Sequence, residues 1–178
     1  MEKKTDIKAI IGLGNPGPKF THNRHNIGFL VLDALAEKHG GTWHTKDNLA
    51  YAELRAPEGV VVLVKPQTFM NSSGKVIPFL QKKGIKPENI LVVHDELELP
   101  FGQHKLRLGG SAKGHNGLRS IIDMIGKDFW RLSCGVGRPE NREDVGNYVL
   151  SDFTEGGALL ASYISNACNI IDREAGLG

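Results

Sequence analysis

Long apolar runs are scarce in this chain of 178 residues. None approaches the ~20 residues that a membrane-crossing helix needs, so no membrane partner is expected. The opening residues, Met-Glu-Lys-Lys-Thr-Asp, lead into a short apolar run with neither an h-region nor a small-residue cleavage site. A secretory signal is therefore not expected. Cysteine is almost absent. Cys134 and Cys168 have neither redox nor zinc-motif spacing, and read as buried free thiols in a reducing cytoplasm. Low-complexity and disordered segments are missing, and the composition, 40% hydrophobic and 24% charged, suits one soluble domain over 1–178. A strong net charge is missing too, at +2, so the total does not announce a nucleic-acid partner. Two catalytic signatures are absent. No G-x-S-x-G elbow supports a serine hydrolase, and no H-E-x-x-H pattern supports a metallohydrolase, so no metal is expected.

What is present alternates between strand and helix. Apolar runs at 7–13, 60–64 and 90–93 read as buried strands, with further strands at 48–56, 103–108 and 130–136. Ile27, Leu30, Val31, Ala34 and Leu35 recur at helical spacing and predict a helix over 26–39, stopped by Gly40-Gly41. Ser72 or Ser73 can cap a second helix running to Lys83 and ended by Gly84. A glycine-rich loop over 109–117 leads into a third helix from Leu118 to about Gly126, and 155–174 reads as the last. The class is α/β, a single domain with a twisted mixed, largely parallel sheet flanked by helices.

Open α/β sheets carry their sites at the carboxyl ends of strands. Gly14-Asn15-Pro16-Gly17, Phe69-Met70-Asn71 and His94-Asp95-Glu96 fall there, and Gly114-His115-Asn116-Gly117 falls at a helix start. Gly12-Leu-Gly14-Asn-Pro-Gly17 fits the dinucleotide fingerprint in form only. Pro16 and Pro18 delay the helix to about Asn26, and no acid ends a second strand at the required distance. Each asparagine taken alone has a plain structural reading, in a turn or at a helix cap. Three of them at one sheet edge suit binding of an ester carbonyl, a peptide or an oxyanion. A lone histidine is usually structural as well. His25, with Asp95 to fix its tautomer, can instead take a proton from water near neutral pH. Between Phe101 and Arg138 seven cations (Lys105, Arg107, Lys113, Arg119, Lys127, Arg131, Arg138) face two acids, Asp123 and Asp128. That run is either a solvated face or a phosphate-binding one.

Together these segments resemble the bacterial peptidyl-tRNA hydrolase family. The matches are GLGNPG (12–17), RHNIG (24–28), KPQTFMNSSG (65–74), HDELELPFG (94–102), GHNGLRSI (114–121), GVGRP (135–139) and Tyr148-Val149-Leu150. They run in one order over nearly the whole chain. The resemblance implies a cytoplasmic monomer that needs no cofactor and cleaves the ester between peptide and tRNA. It implies His25 as general base and Asp95 as its orienting acid. Asn15 and Asn71 would hold the peptide and the ester end, Asn116 would position substrate or water, and Met70 would be an apolar contact. Phe20 stands where the family often has a tyrosine, and its ring can still stack on the terminal adenine. Arg107 matches one of two basic residues implied to clamp the tRNA 5′-phosphate, and the other falls at Ser133, which has no charge. Arg131 shares a strand face with Ser133 and is expected to compensate, beside Lys105 and Lys113. The expected partner is therefore peptidyl-tRNA, gripped at its acceptor stem and 3′ end. Two rivals are an inactive RNA-binding protein on the same fold and a dinucleotide-dependent oxidoreductase. The joint presence of His25, Asp95, Asn15, Asn71 and Asn116 favours the enzyme over the first, and the failed fingerprint disfavours the second.

Overall fold

The structure, a computed structural model, describes residues 4–178. Strict alternation along the inner strands organises it. Ile10, Leu91 and Val93 enter one core, and Ile11, Ile90 and Val92 enter the other. Strands apolar on both faces need cover on both, and that places them at the centre. Strand β1 (Ala9–Gly12) pairs in parallel with β4 (Gly59–Pro66) and with β5 (Ile90–Glu96), and β5 pairs in parallel with β7 (Trp130–Gly135). The edges are antiparallel. β3 (Leu49–Ala56) lies on β4, β2 (His44–Lys46) on β3, and β6 (His104–Leu108) on β7. The order β2-β3-β4-β1-β5-β7-β6 is the mixed, centrally parallel sheet that the alternating pattern implied.

Helices α1 (Ile27–Lys38) and α5 (Gly157–Ala175) cover the Ile10 side through residues such as Val31, Leu35, Tyr163 and Ile171. The run from Met70 to Gln81 and helix α3 (Asn116–Ile125) cover the Ile11 side through Met70, Ile77, Leu118 and Ile121. Cys134 and Cys168 are buried and free, as expected. No helix among the described residues is long and apolar enough to cross a membrane.

The glycines of the opening motif serve packing. A Cβ on Gly12 would lie 2.4 Å from the Gly28 carbonyl oxygen, and one on Gly28 would lie 2.3 Å from the Leu13 nitrogen. Bare backbone on both sides lets α1 lie against β1, and the turn before α1 is thereby pressed onto the sheet edge.

Three elements differ from the sequence reading. The helix expected from Ser72 or Ser73 to Lys83 is instead a 3-10 run, Met70–Val76, followed by the short α2 (Ile77–Gln81). Pro78 has no N–H to donate to the Gly74 carbonyl, so it fits only the first turn of a new helix. Ser73 does not cap; its Oγ donates to the Met70 carbonyl at 2.7 Å. Helix α3 begins at Asn116, two residues earlier than expected, because the His115 side chain caps it. β2, exposed throughout, and the short α4 (Val145–Val149), with no buried residue, escaped prediction because neither carries an apolar period.

Candidate active site

The carboxyl ends of β1 and β5, the turn before α1 and the loop before α3 converge on one cavity of about 410 Å³. At its base Asp95 is 4% exposed, and its carboxylate accepts two imidazole N–H groups. His25 Nδ1 donates to it at 2.9 Å and His115 Nε2 at 2.7 Å. The His115 tautomer follows from its surroundings. Its Nδ1 accepts from the Gly117 and Leu118 N–H groups at 3.1 and 3.4 Å, so the proton sits on Nε2. For His25 the bond through Nδ1 leaves Nε2 as the free ring nitrogen.

Electrostatics follow from these contacts. Burial alone would raise the Asp95 carboxyl, but the charges and N–H groups of His25 and His115 outweigh it and hold the group well below the usual range. Burial opposes charge on His25, and the Asp95 charge and hydrogen bond overcome it, raising the imidazole above its ordinary value. His94 is pushed down to about 3 by burial and then by His115. It stays neutral, donating through Nδ1 to the Asp95 carbonyl at 2.8 Å, with Ser133 Oγ at 3.2 Å from Nε2.

The asparagines divide into one that is fixed and two that are open. Asn15 Oδ1 accepts the Met70 N–H at 2.7 Å. Its backbone is clamped by Asn26, which accepts the Asn15 N–H at 2.9 Å and donates to the Asn15 carbonyl at 2.8 Å. The Nδ2 group of Asn15 has no partner among the described residues. Asn71 and Asn116 are exposed and share a second depression of about 280 Å³, and Asn116 also lines the cavity of His25. The two hollows thus meet at Asn116. Met70 is buried against Gly117, where any Cβ would come within 2.5 Å of its sulfur. Phe20 meets the 66%-exposed Phe69 edge to face, with ring centroids 6.5 Å apart.

Five cations line the cavity: Arg107, Lys113, Arg131, Arg138 and Arg142. Lys105 is exposed on β6, directly opposite Ser133, and Arg107 is opposite Arg131. Arg131 does share the Ser133 face, as the strand alternation implied, but it does not stand open there. It is 1% exposed, and its guanidinium donates to the Ser111 carbonyl at 2.8 Å and to the carbonyls of Gly110 and Lys127. Burial, and then Arg107, lower it to about 10, so it is still charged at neutral pH. It holds the glycine loop in place. Ser133, 4% exposed, is turned inward to His94, so no open position exists there for a clamp.

His25, Asp95 and His115 place three potential metal-ligand atoms within 4.8 Å of one another, although sequence spacing gave no ligand motif. The donor set fits a metal poorly. The His115 nitrogen that faces Asp95 carries a proton, and both imidazoles already bond the carboxylate directly.

Sequence reasoning gave no role to His115, Asn26, His94, Arg142 or Arg24. Their signal was proximity, since each adjoins or lies close to a residue or motif that was singled out. Arg24 is 6% exposed and stacks on the Tyr148 ring at 4.0 Å. Its Nη1 donates to the Tyr148 carbonyl at 3.1 Å and to Ser151 Oγ at 2.6 Å. The wall formed by α4 is thereby tied to the residue before His25.

Fold and site define an α/β protein with a histidine–carboxylate centre and amide groups at the carboxyl edge of its sheet. Comparison with known proteins makes the assignment specific. The peptidyl-tRNA hydrolase family profile matches residues 9–175. A peptidyl-tRNA hydrolase of Sulfurihydrogenibium sp. is 48% identical over 91% of this chain and 88% of its own length. One from Mycobacteroides abscessus is 46% identical over 94% of this chain and 90% of its own. The crystal structure of the Acinetobacter baumannii peptidyl-tRNA hydrolase superposes with a TM-score of 0.91 at 36% identity, covering 98% of this chain and 91% of that one. The chain belongs to the peptidyl-tRNA hydrolase family, a family of ester hydrolases.

Proposed function

We propose that this protein hydrolyses peptidyl-tRNA, adding water across the ester that joins the peptide carboxyl to the 3′-terminal ribose. The products are a free peptide and a tRNA with its 3′ hydroxyl restored for recharging. The observation that carries this reading, in a chain of this family, is the grip of Asp95 on His25 Nδ1 beside a cavity that the imidazole lines. His25 Nε2 takes a proton from water as its oxygen attacks the carbonyl. Asp95 stabilises the imidazolium that forms, which then returns the proton to the departing ribose oxygen.

Asn15 Nδ2 and the Asn71 amide hold the ester end and the peptide, and donate where negative charge develops on the carbonyl oxygen. Asn116, at the junction of the two hollows, positions substrate or water. Met70 and Phe20 give apolar contacts, with the Phe20 ring available to the terminal adenine. Arg107, Lys105 and Lys113 receive acceptor-stem phosphates, contacts that give affinity and register without reading sequence. Arg131 contributes through the loop it holds and through the positive potential it adds. In this reading the chain works as a monomer in the cytoplasm, without metal or cofactor.

The decisive experiment is His25→Ala with peptidyl-tRNA as substrate. Turnover should fall about 10²–10⁴-fold with the circular-dichroism spectrum unchanged, the scale of general-base assistance. Near-normal turnover in that variant would end the assignment.

A further inference from the structure

Glu98 is an acid set among cations. Its carboxylate pairs with Arg138, and Lys113 and Arg142 also act on it. All three cations line the cavity that holds His25. Arg138 has Glu98 as its partner, whereas Lys113 and Arg142 have no carboxylate within salt-bridge distance among the described residues. The loop also holds Lys113 in a left-handed conformation, φ 47°, which a glycine adopts without strain. A side chain is thus presented where bare backbone would be easier to place.

We propose that Lys113, Arg138 and Arg142 form a subsite for a phosphodiester, and that Glu98 occupies it in the free protein as an internal substitute for the phosphate. The proposal rests on the peptidyl-tRNA reading above for the source of that phosphate. Three cations converging on one carboxylate are arranged to bind an oxyanion, and a phosphodiester offers two charged oxygens to such a group. Because the subsite shares its cavity with His25, the phosphate it takes is close to the scissile ester. That identifies the last phosphodiesters of the 3′ end, as distinct from the acceptor stem assigned to Arg107 and Lys105. An incoming phosphate displaces Glu98 from Arg138. Glu98 therefore weakens binding and makes an empty cavity self-satisfied.

The test compares Glu98→Gln, Arg142→Ala, Arg138→Ala and the double variant Glu98→Gln/Arg138→Ala, with Glu143→Gln as a control for lost negative charge. Glu98→Gln should lower KM for peptidyl-tRNA about two- to fivefold with kcat unchanged, the scale of an exposed charge contact. Arg142→Ala should raise KM by a similar factor. The gain should vanish when Arg138 is already alanine, because the two side chains act as a pair. It should persist on a peptidyl-CCA trinucleotide and be absent on a peptidyl-adenosine, which has no phosphodiester. No gain, an equal gain in Glu143→Gln, or a gain confined to full-length tRNA would each overturn the proposal. Binding of the uncharged CCA trinucleotide, read without turnover, separates the two readings. Tighter binding by Glu98→Gln in a protein that releases no peptide supports the subsite and removes only the hydrolase reading.

Discussion

The two walls of the cavity are built on opposite terms. On the side of β1, β5 and the turn before α1, the key polar groups are buried and paired: Asp95 by two imidazoles, Asn15 by Asn26 and Met70, His94 by Ser133. On the side of the 109–117 loop and the segment around α4, exposed cations stand with few partners. Buried polar groups are costly unless satisfied, and once satisfied they have one geometry. Exposed cations cost little and adapt to any phosphate chain. The contrast separates a wall that performs chemistry on one bond from a wall that accepts many tRNAs.

Breaking the buried wall should give the largest effects. Asp95→Asn should reduce kcat by at least about 10²-fold, because an amide favours the wrong His25 tautomer and cannot stabilise the imidazolium. The pH profile sharpens this. His25 acts as a base only when neutral, and its value is raised by Asp95 against the effect of burial. The acid limb of kcat/KM should therefore have its midpoint above the ordinary 6.5, and Asp95→Asn should move it downwards. A midpoint below 6.5 in the native protein would contradict the His25–Asp95 coupling. Stability follows by linkage. The raised His25 value adds stability below about pH 6.5 that is lost as pH rises through the folded value. The depressed Asp95 value adds stability above the ordinary carboxylate range that is lost as pH falls towards the folded value.

Asn26→Ala should come next. It removes both bonds that clamp the Asn15 turn, so kcat should fall about tenfold, with a loss of roughly 1–3 kcal/mol on denaturant unfolding. Unchanged kcat would mean that the turn holds its shape without the clamp. On the exposed wall effects are smaller and of another kind. Arg107→Ala should raise KM, leave kcat nearly unchanged and reduce the slope of log affinity against log salt by about one contact. Equal damage on a peptidyl-adenosine substrate would place Arg107 in the chemistry or in folding. The smallest effect expected is none: prolonged chelator treatment should leave turnover intact. Loss on chelation, with recovery on adding one metal, would make the His25–Asp95–His115 cluster a metal centre.

The same contrast explains what the sequence made legible. The inner strands carry an unbroken apolar signal, and Ile10 and Ile11 assign themselves to two cores by alternation alone. Asp95 and Asn15 were legible because strand ends are where α/β sites lie, and His25 because it precedes a helix of clear period. His115 was missed because a histidine beside a glycine loop has no periodicity, and helix caps are usually sought among serine, threonine, aspartate and asparagine. Asn26 was missed because its work is to shape a backbone turn eleven residues away, which spacing does not encode. Arg131 was misjudged because strand alternation gives a face but not the reach of a side chain, and this one turns to the carbonyls of its own loop. The kink at Pro78 was legible in principle, since a missing N–H is a local fact.

The strap between Arg24 and Tyr148 has a thermal consequence. α4 buries no side chain, so it belongs to the least stable part of the fold. Its end is fastened to the residue next to His25, and also through Tyr148 to the Val136 carbonyl. On heating, this segment loosens while the seven-stranded sheet is still intact, and the imidazole loses its anchor on that side. Inactivation should therefore set in at a lower temperature than loss of secondary structure, and should reverse on cooling because the sheet, the template to which the strap returns, never melted.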